Sequence, residues 1–188
     1  RLEVDRRRVR KRIDDLEGQL AELKRQRDMR RARREKQDKT VVALVGYTNA
    51  GKSTLLNALS GASVLVEDKL FATLDPVMRA ISLPENRECL LVDTVGFIRK
   101  LPHQLVEAFH STLEEALCAD LIVVVSDVSS PFYRQQRETV FDVLDQLGAG
   151  GKPVLEAPNK ADKANLEGMI EPPGAVLISA RTGEGLET

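Results

Sequence analysis

Apolar and polar residues follow two rhythms along this chain. Residues 41–45 (Val-Val-Ala-Leu-Val) form a continuous apolar run rich in β-branched side chains, the pattern of a strand buried on both faces. Residues 77–83 alternate well enough for a strand, Pro84-Glu85-Asn86 reads as its turn, and residues 88–92 form a second strand. Residues 121–125 are again apolar on both faces, and Asp127 ends that run. Residues 152–158 lead into a polar tetrad, and residues 175–178 predict a further strand. Helical spacing fills the intervals. Leu55, Leu56, Ala58 and Leu59 share one side after residue 52; Leu105, Val106, Phe109, Leu113, Ala116 and Leu117 share one side of a helix over 103–118. Residues 133–147 are amphipathic and stop at Gly148, and residues 182–186 predict the start of a last helix, cut short at Thr188. Strands alternating with helices place the fold in the α/β class: a doubly wound, mostly parallel sheet with its ligand at the carboxyl ends of the strands. The strand over 77–83 follows a long loop without a helix, so it is expected to be an antiparallel edge.

Residues 1–39 differ in kind. They contain no Pro, one glycine (Gly18) and mostly good helix formers, which predicts a long basic α-helix ahead of the α/β domain over 40–188. Val9, Ile13, Leu16, Leu20 and Leu23 recur at coiled-coil spacing, but the next seam positions are Arg27 and Arg30. So short a seam is expected to pack on another helix. Charge sharpens the contrast. The whole chain of 188 residues carries net −1, yet residues 1–39 hold 16 Lys/Arg against 9 Asp/Glu, a balance of +7, and the remainder holds 12 against 20, a balance of −8. A basic arm on an acidic globule points to a polyanionic partner, with Arg25, Arg27, Arg30, Arg31, Arg33 and Arg34 as the phosphate contacts; a merely solvated helical face is the plainer alternative. The chain begins at Arg1, so it is expected to be a piece of a longer protein. Cys89 and Cys118 lack metal-ligand spacing and read as reduced packed thiols, and no apolar run is long enough to span a membrane. His103 and His110 have no partner at metal or triad spacing.

The chemistry lies at the strand ends. The first strand runs into Gly46-Tyr47-Thr48-Asn49-Ala50-Gly51-Lys52-Ser53-Thr54, which fits the phosphate-loop pattern G-x-x-x-x-G-K-[ST] without a mismatch. Glycine lets successive N–H groups face one concavity, the following helix aims its positive end there, Lys52 neutralises the β- and γ-phosphates, and the Ser53 hydroxyl can ligate Mg²⁺. Downstream, Phe71-Ala72-Thr73-Leu74-Asp75 offers one hydroxyl, Thr73, to close on the γ-phosphate and give Mg²⁺ a second ligand; a turn residue is the plainer reading. Asp93-Thr94-Val95-Gly96 ends a buried strand with an acid suited to an outer-sphere Mg²⁺ contact and a glycine whose N–H can approach phosphate. Phe97 follows where many GTPases carry a water-orienting glutamine. Asn159-Lys160-Ala161-Asp162 selects the base: Asp162 can accept from guanine N1–H and its 2-amine, a pair adenine lacks. In Ser179-Ala180-Arg181, the Ala180 N–H can reach guanine O6. ATP is the disfavoured nucleotide.

Together these elements resemble the GTPase domain of the translation-factor-related G proteins. Residues 46–54, Leu-Phe-Ala-Thr-Leu-Asp at 70–75 and Asp-Thr-Val-Gly-Phe-Ile-Arg-Lys-Leu-Pro-His at 93–103 closely resemble the HflX family. The resemblance covers 40–188, with the arm similar to the end of that family's linker helices. It implies a P-loop GTPase that hydrolyses GTP to GDP, binds the large ribosomal subunit and splits stalled ribosomes. Slow intrinsic turnover stimulated by the ribosome and a monomeric state are expected with it, rRNA contact is expected from the charge of the arm, and a cytoplasmic location from the reduced cysteines. The expected catalytic residues are Lys52, Thr73 and Gly96, and the expected Mg²⁺ residues are Ser53, Thr73 and Asp93. Asn49 either helps hold K⁺ near the β/γ bridge, as in related GTPases without the glutamine, or is an inert loop residue. A GTP-gated RNA-binding switch and an Era-like GTPase of ribosome assembly or tRNA modification are the alternatives. Glu156 and Pro158 depart from the pattern, because they interrupt what should be an apolar strand before Asn159.

Overall fold

The computed structural model describes residues 40–61, 77–97, 118–165 and 172–187, together with isolated positions 10, 12 and 18. The chain divides into two compact units, Arg1–Lys39 and Thr40–Thr188. In the first, Arg10, Arg12 and Gly18 are helical and exposed; the remainder of the expected arm lies outside the described residues, as do residues 62–76, with the loop expected over 68–76, and all but Cys118 of the helix expected over 103–118.

The second unit is built on a five-stranded sheet in the order β2-β3-β1-β4-β5. Its strands are β1 (Thr40–Gly46), β2 (Val77–Leu83), β3 (Arg87–Asp93), β4 (Leu121–Asp127) and β5 (Val154–Asn159). All neighbours are parallel except β2 and β3, so β2 is the antiparallel edge expected from the sequence. Pro84–Asn86 turns the hairpin, with Glu85 in a left-handed conformation. The apolar run of β1 divides its side chains between two cores. Val41, Ala43 and Val45 pack with Val140 and Leu144 of α2 (Tyr133–Gln146), whereas Val42 and Leu44 pack with Leu55 and Leu56 of α1 (Lys52–Ser60). The strand period of two thus sends alternate side chains to helices on opposite faces, which is what doubly wound means physically.

The two irregularities before Asn159 have separate outcomes. Glu156 is partnered: Arg137 of α2 grips it through Nε and Nη2 at 2.5 and 2.6 Å, and the guanidinium also lies 4.8 Å from the centre of the Phe141 ring. The same hydrogen bonds push the Arg137 pKa further up. Pro158 has a structural cost. The Val176 and Ile178 N–H groups donate to Glu156 and Pro158 carbonyls, but proline has no donor to return a bond to Val176. Lys160 turns left-handed, and the next bond to Ile178 comes from Ala161 instead. Residues 175–178 therefore follow β5 without becoming the sixth strand that their apolar pattern predicts. The predicted helix over 182–186 is also absent. Gly183 and Gly185 take positive φ, and the Ser179 N–H closes on the Glu184 carbonyl, giving consecutive turns.

The Arg137–Glu156 side chains are 32% and 16% exposed, so removing one partner leaves a poorly hydrated charge. Arg137→Ala is expected to lower unfolding free energy by about 1–2 kcal/mol, while the paired change Arg137→Met with Glu156→Val stays near wild type. Urea unfolding of the three proteins checks this; equal losses in the single and double variants would refute it.

Candidate nucleotide site

The carboxyl edge of the sheet is shaped by places where a side chain cannot fit. At Gly46, the end of β1, a Cβ would stand 2.1 Å from the Val125 carbonyl oxygen. The loop then turns through Asn49 and Gly51, both at positive φ, and a Cβ on Gly51 would lie 2.3 Å from Asn159 Nδ2. Helix α1 starts at Lys52 with no side-chain cap and no acidic residue in its first turn. Its first amides and its positive dipole end therefore face the loop uncompensated by protein anions on the helix itself, which favours an anion there.

Lys52 is 6% exposed, and its Nζ donates to the Gly46 and Tyr47 carbonyls at 3.3 and 3.1 Å. Burial lowers its pKa from 10.5 to about 8, opposed by the nearby Asp93 carboxylate. Next in the chain, Ser53 Oγ donates to Asp93 Oδ2 at 2.6 Å, joining the head of α1 to the end of β3. These are hard oxygen donors of the kind that suits Mg²⁺, which needs few protein ligands when phosphates supply the rest. Among the described residues no group of three or more His, Cys, Asp or Glu gathers to hold a metal by itself.

After Asp93 the chain folds back over the loop. Thr94 Oγ1 donates to the Leu44 carbonyl at 2.7 Å, and Val95 is packed in the core, so these two can offer a ligand only backbone groups. Gly96 is pressed against the loop, where a Cβ would come within 2.8 Å of Thr48 Cα and 3.0 Å of Lys52 Nζ. Phe97 exchanges backbone bonds with the loop, its N–H to Gly46 and its carbonyl from Thr48 N–H, while its ring is 1% exposed within the core. Tyr47 and residues Phe132, Gln135, Gln136 and Thr139 line an open groove beside this bend.

The distant tetrad meets the loop through one carboxamide. Asn159 Nδ2 donates to the Ala50 carbonyl at 2.8 Å, and its Oδ1 accepts the Ala180 N–H at 2.9 Å. Because that amide is already engaged, an Ala180 contact to guanine O6 would need a shared bond or the neighbouring Arg181 N–H. Fully buried Ser179 donates its hydroxyl to Asp162 Oδ1 at 2.7 Å and orients an otherwise exposed carboxylate. Lys160 Nζ is 2.7 Å from Asp127 Oδ2. The structure therefore brings residues 46–54, Asp93, Gly96, residues 159–162 and residues 179–181 to one edge, while Phe71, Ala72, Thr73, Leu74 and Asp75 lie outside the described residues. Sequence reasoning passed over Asp127 as a strand terminus. Its signal was an acid at the carboxyl end of a central strand, in register with Asn159.

Comparison with known proteins agrees with this geometry. The family profile described as "50S ribosome-binding GTPase" matches residues 41–160. The protein named GTPase HflX from Caldanaerobacter subterraneus subsp. tengcongensis is 54% identical over 190 residues, spanning 100% of this chain and 44% of that protein. The chain thus spans less than half the length of that curated relative. A GTP-binding protein from Sulfolobus solfataricus, solved with GDP, is 34% identical with a TM-score of 0.62, over 79% of this chain and 49% of the other. Era, solved with MgGDPNP and nucleotides of 16S ribosomal RNA, is 29% identical with a TM-score of 0.62, over 79% and 53%. With the phosphate loop, the base tetrad and matches along the whole of its length, this chain belongs to the HflX family of GTPases.

Proposed function

We propose that this chain binds GTP at the carboxyl edge of its sheet and hydrolyses it to GDP and phosphate, slowly alone and faster on the large ribosomal subunit. The observation that carries this reading is Asn159, whose side chain ties the phosphate loop to the Ser179–Arg181 turn and so sets a phosphate site and a base site at a fixed spacing. The ribosomal part rests on the family's description and on the HflX resemblance, which implies splitting of stalled ribosomes. Identities near 50% with HflX proteins favour this over an Era-like role. Residues 1–39 would serve as the rRNA-contacting arm and 40–188 as the nucleotide domain, working in the cytosol. Among the described residues no helix is long and apolar enough to cross a membrane.

Residues 47–53 receive the phosphates on backbone amides at the head of α1. Lys52 turns its ammonium from the Gly46 and Tyr47 carbonyls to the β- and γ-phosphates. Ser53, Asp93 and Thr73 are the residues that would hold Mg²⁺, which supplies positive charge against the transferring phosphoryl group. Gly96 offers its N–H to the γ-phosphate. Asp162, aimed by Ser179, accepts from the guanine edge. Phe97 is sunk in the core, so the attacking water is oriented by other groups. Asn49, exposed in the loop, would contribute to a K⁺ site that takes up part of that task.

Three outcomes follow. Purified large ribosomal subunits should raise GTP turnover at least tenfold over the chain alone, read as phosphate release; equal rates would remove the ribosomal coupling. Turnover in KCl should exceed that in NaCl at the same ionic strength, and equality would leave Asn49 an inert loop residue. Polyphosphate should raise the Lys52 pKa again from about 8, so binding takes up a proton once the free amine is neutral. GDP affinity is then steady below pH 8 and weakens by about tenfold by pH 9. Calorimetry in buffers of different ionisation enthalpy reads the uptake, and none at pH 8.5 would contradict the assignment.

A further inference from the structure

The β4–α2 turn is bolted to the base tetrad by contacts that none of the roles above uses. Asp127, the last residue of β4, divides its carboxylate. Oδ1 accepts from the backbone N–H and hydroxyl of Ser129 at 2.9 and 2.6 Å, which makes the turn rigid. Oδ2 accepts from Lys160 Nζ at 2.7 Å. Beside them the Val128 N–H donates to the Asn159 carbonyl at 3.0 Å. Lys160 needs this support. It sits at φ 68, a left-handed conformation that a residue with a side chain adopts only when its surroundings hold it there. The two side chains are 21% and 18% exposed, so the pair is partly shielded from water and holds better than a surface ion pair.

We infer that Asp127 is a positioning residue of the guanine-nucleotide site and acts through Lys160. Its carboxylate holds the left-handed turn that spaces Asn159, tied to the phosphate loop, from Asp162, tied to Ser179. It binds no part of the nucleotide itself. Because the tetrad contacts a group remote from the reacting phosphate, the loss falls equally on ground and transition states. This rests on the nucleotide reading above.

The test is Asp127→Asn in the full 188-residue chain, with Lys160→Met and the double variant, measured for GDP affinity, GTP turnover and melting without nucleotide. Asp127→Asn is expected to weaken GDP binding about tenfold and raise KM by a similar factor, with kcat unchanged. In the Lys160→Met background the same change should have little further effect, since its partner is gone. Asp127→Glu should recover part of the affinity, and Ser129→Ala, which spares the ion pair, should stay within about twofold. Wild-type affinity in Asp127→Asn overturns the inference, as does a tenfold loss that persists undiminished in the Lys160→Met background. A kcat that falls with affinity also overturns it. Failure of the wild-type chain to bind GDP overturns the nucleotide reading instead.

Discussion

One carboxamide holds the functional edge together. Asn159 lies at the end of β5, 2% exposed, with its nitrogen on the phosphate loop and its oxygen on the turn after Ile178. A buried amide with both ends satisfied is stable, whereas one with a single end satisfied pays a desolvation penalty. The loop and the turn are therefore coupled through it: movement of either leaves a buried polar atom without its bond. The glycine at position 51 is the complement of this arrangement, since the space a Cβ would take is occupied by the Asn159 nitrogen.

The doubly wound sheet explains why such distant residues can meet. Residues 46–54, 93–97, 127–130 and 159–162 all follow parallel strands, so the topology delivers each to the same edge. The alternation of β1 then anchors that edge from below, with one set of side chains against α1 and the other against α2. Loops emerging from a sheet packed on both faces have little freedom at their roots. The N–H of Phe97 and the hydroxyl of Thr94 reduce it further by binding Gly46 and Leu44 carbonyls.

Most of this edge was legible in the residues. The phosphate loop and the base tetrad carry their own geometry in glycine placement and in the donors and acceptors they present, and the short β-branched apolar runs of β1 and β4 match central strands buried on both faces. Legibility failed where a long-range partner or a single backbone group decided the outcome. The ion pair that accommodates Glu156 depends on a helix residue nineteen positions earlier, and nothing local announces Arg137 as its mate. The missing strand at 175–178 turns on one absent N–H at Pro158, a defect in the neighbour and not in the segment itself. Residues 182–186 carry two glycines, and their backbone freedom gives turns in place of the expected last helix.

The burial of Phe97 has a consequence for how the protein could be altered. In GTPases with a glutamine at this place, that side chain orients the attacking water, so an exchange acts directly on hydrolysis. Here the aromatic ring is a structural plug, and altering it would loosen the sheet before it touched hydrolysis. What a substitution can vary at this position is therefore shape and volume, and any polar contact to a ligand at this bend has to come from the backbone of the neighbouring glycine.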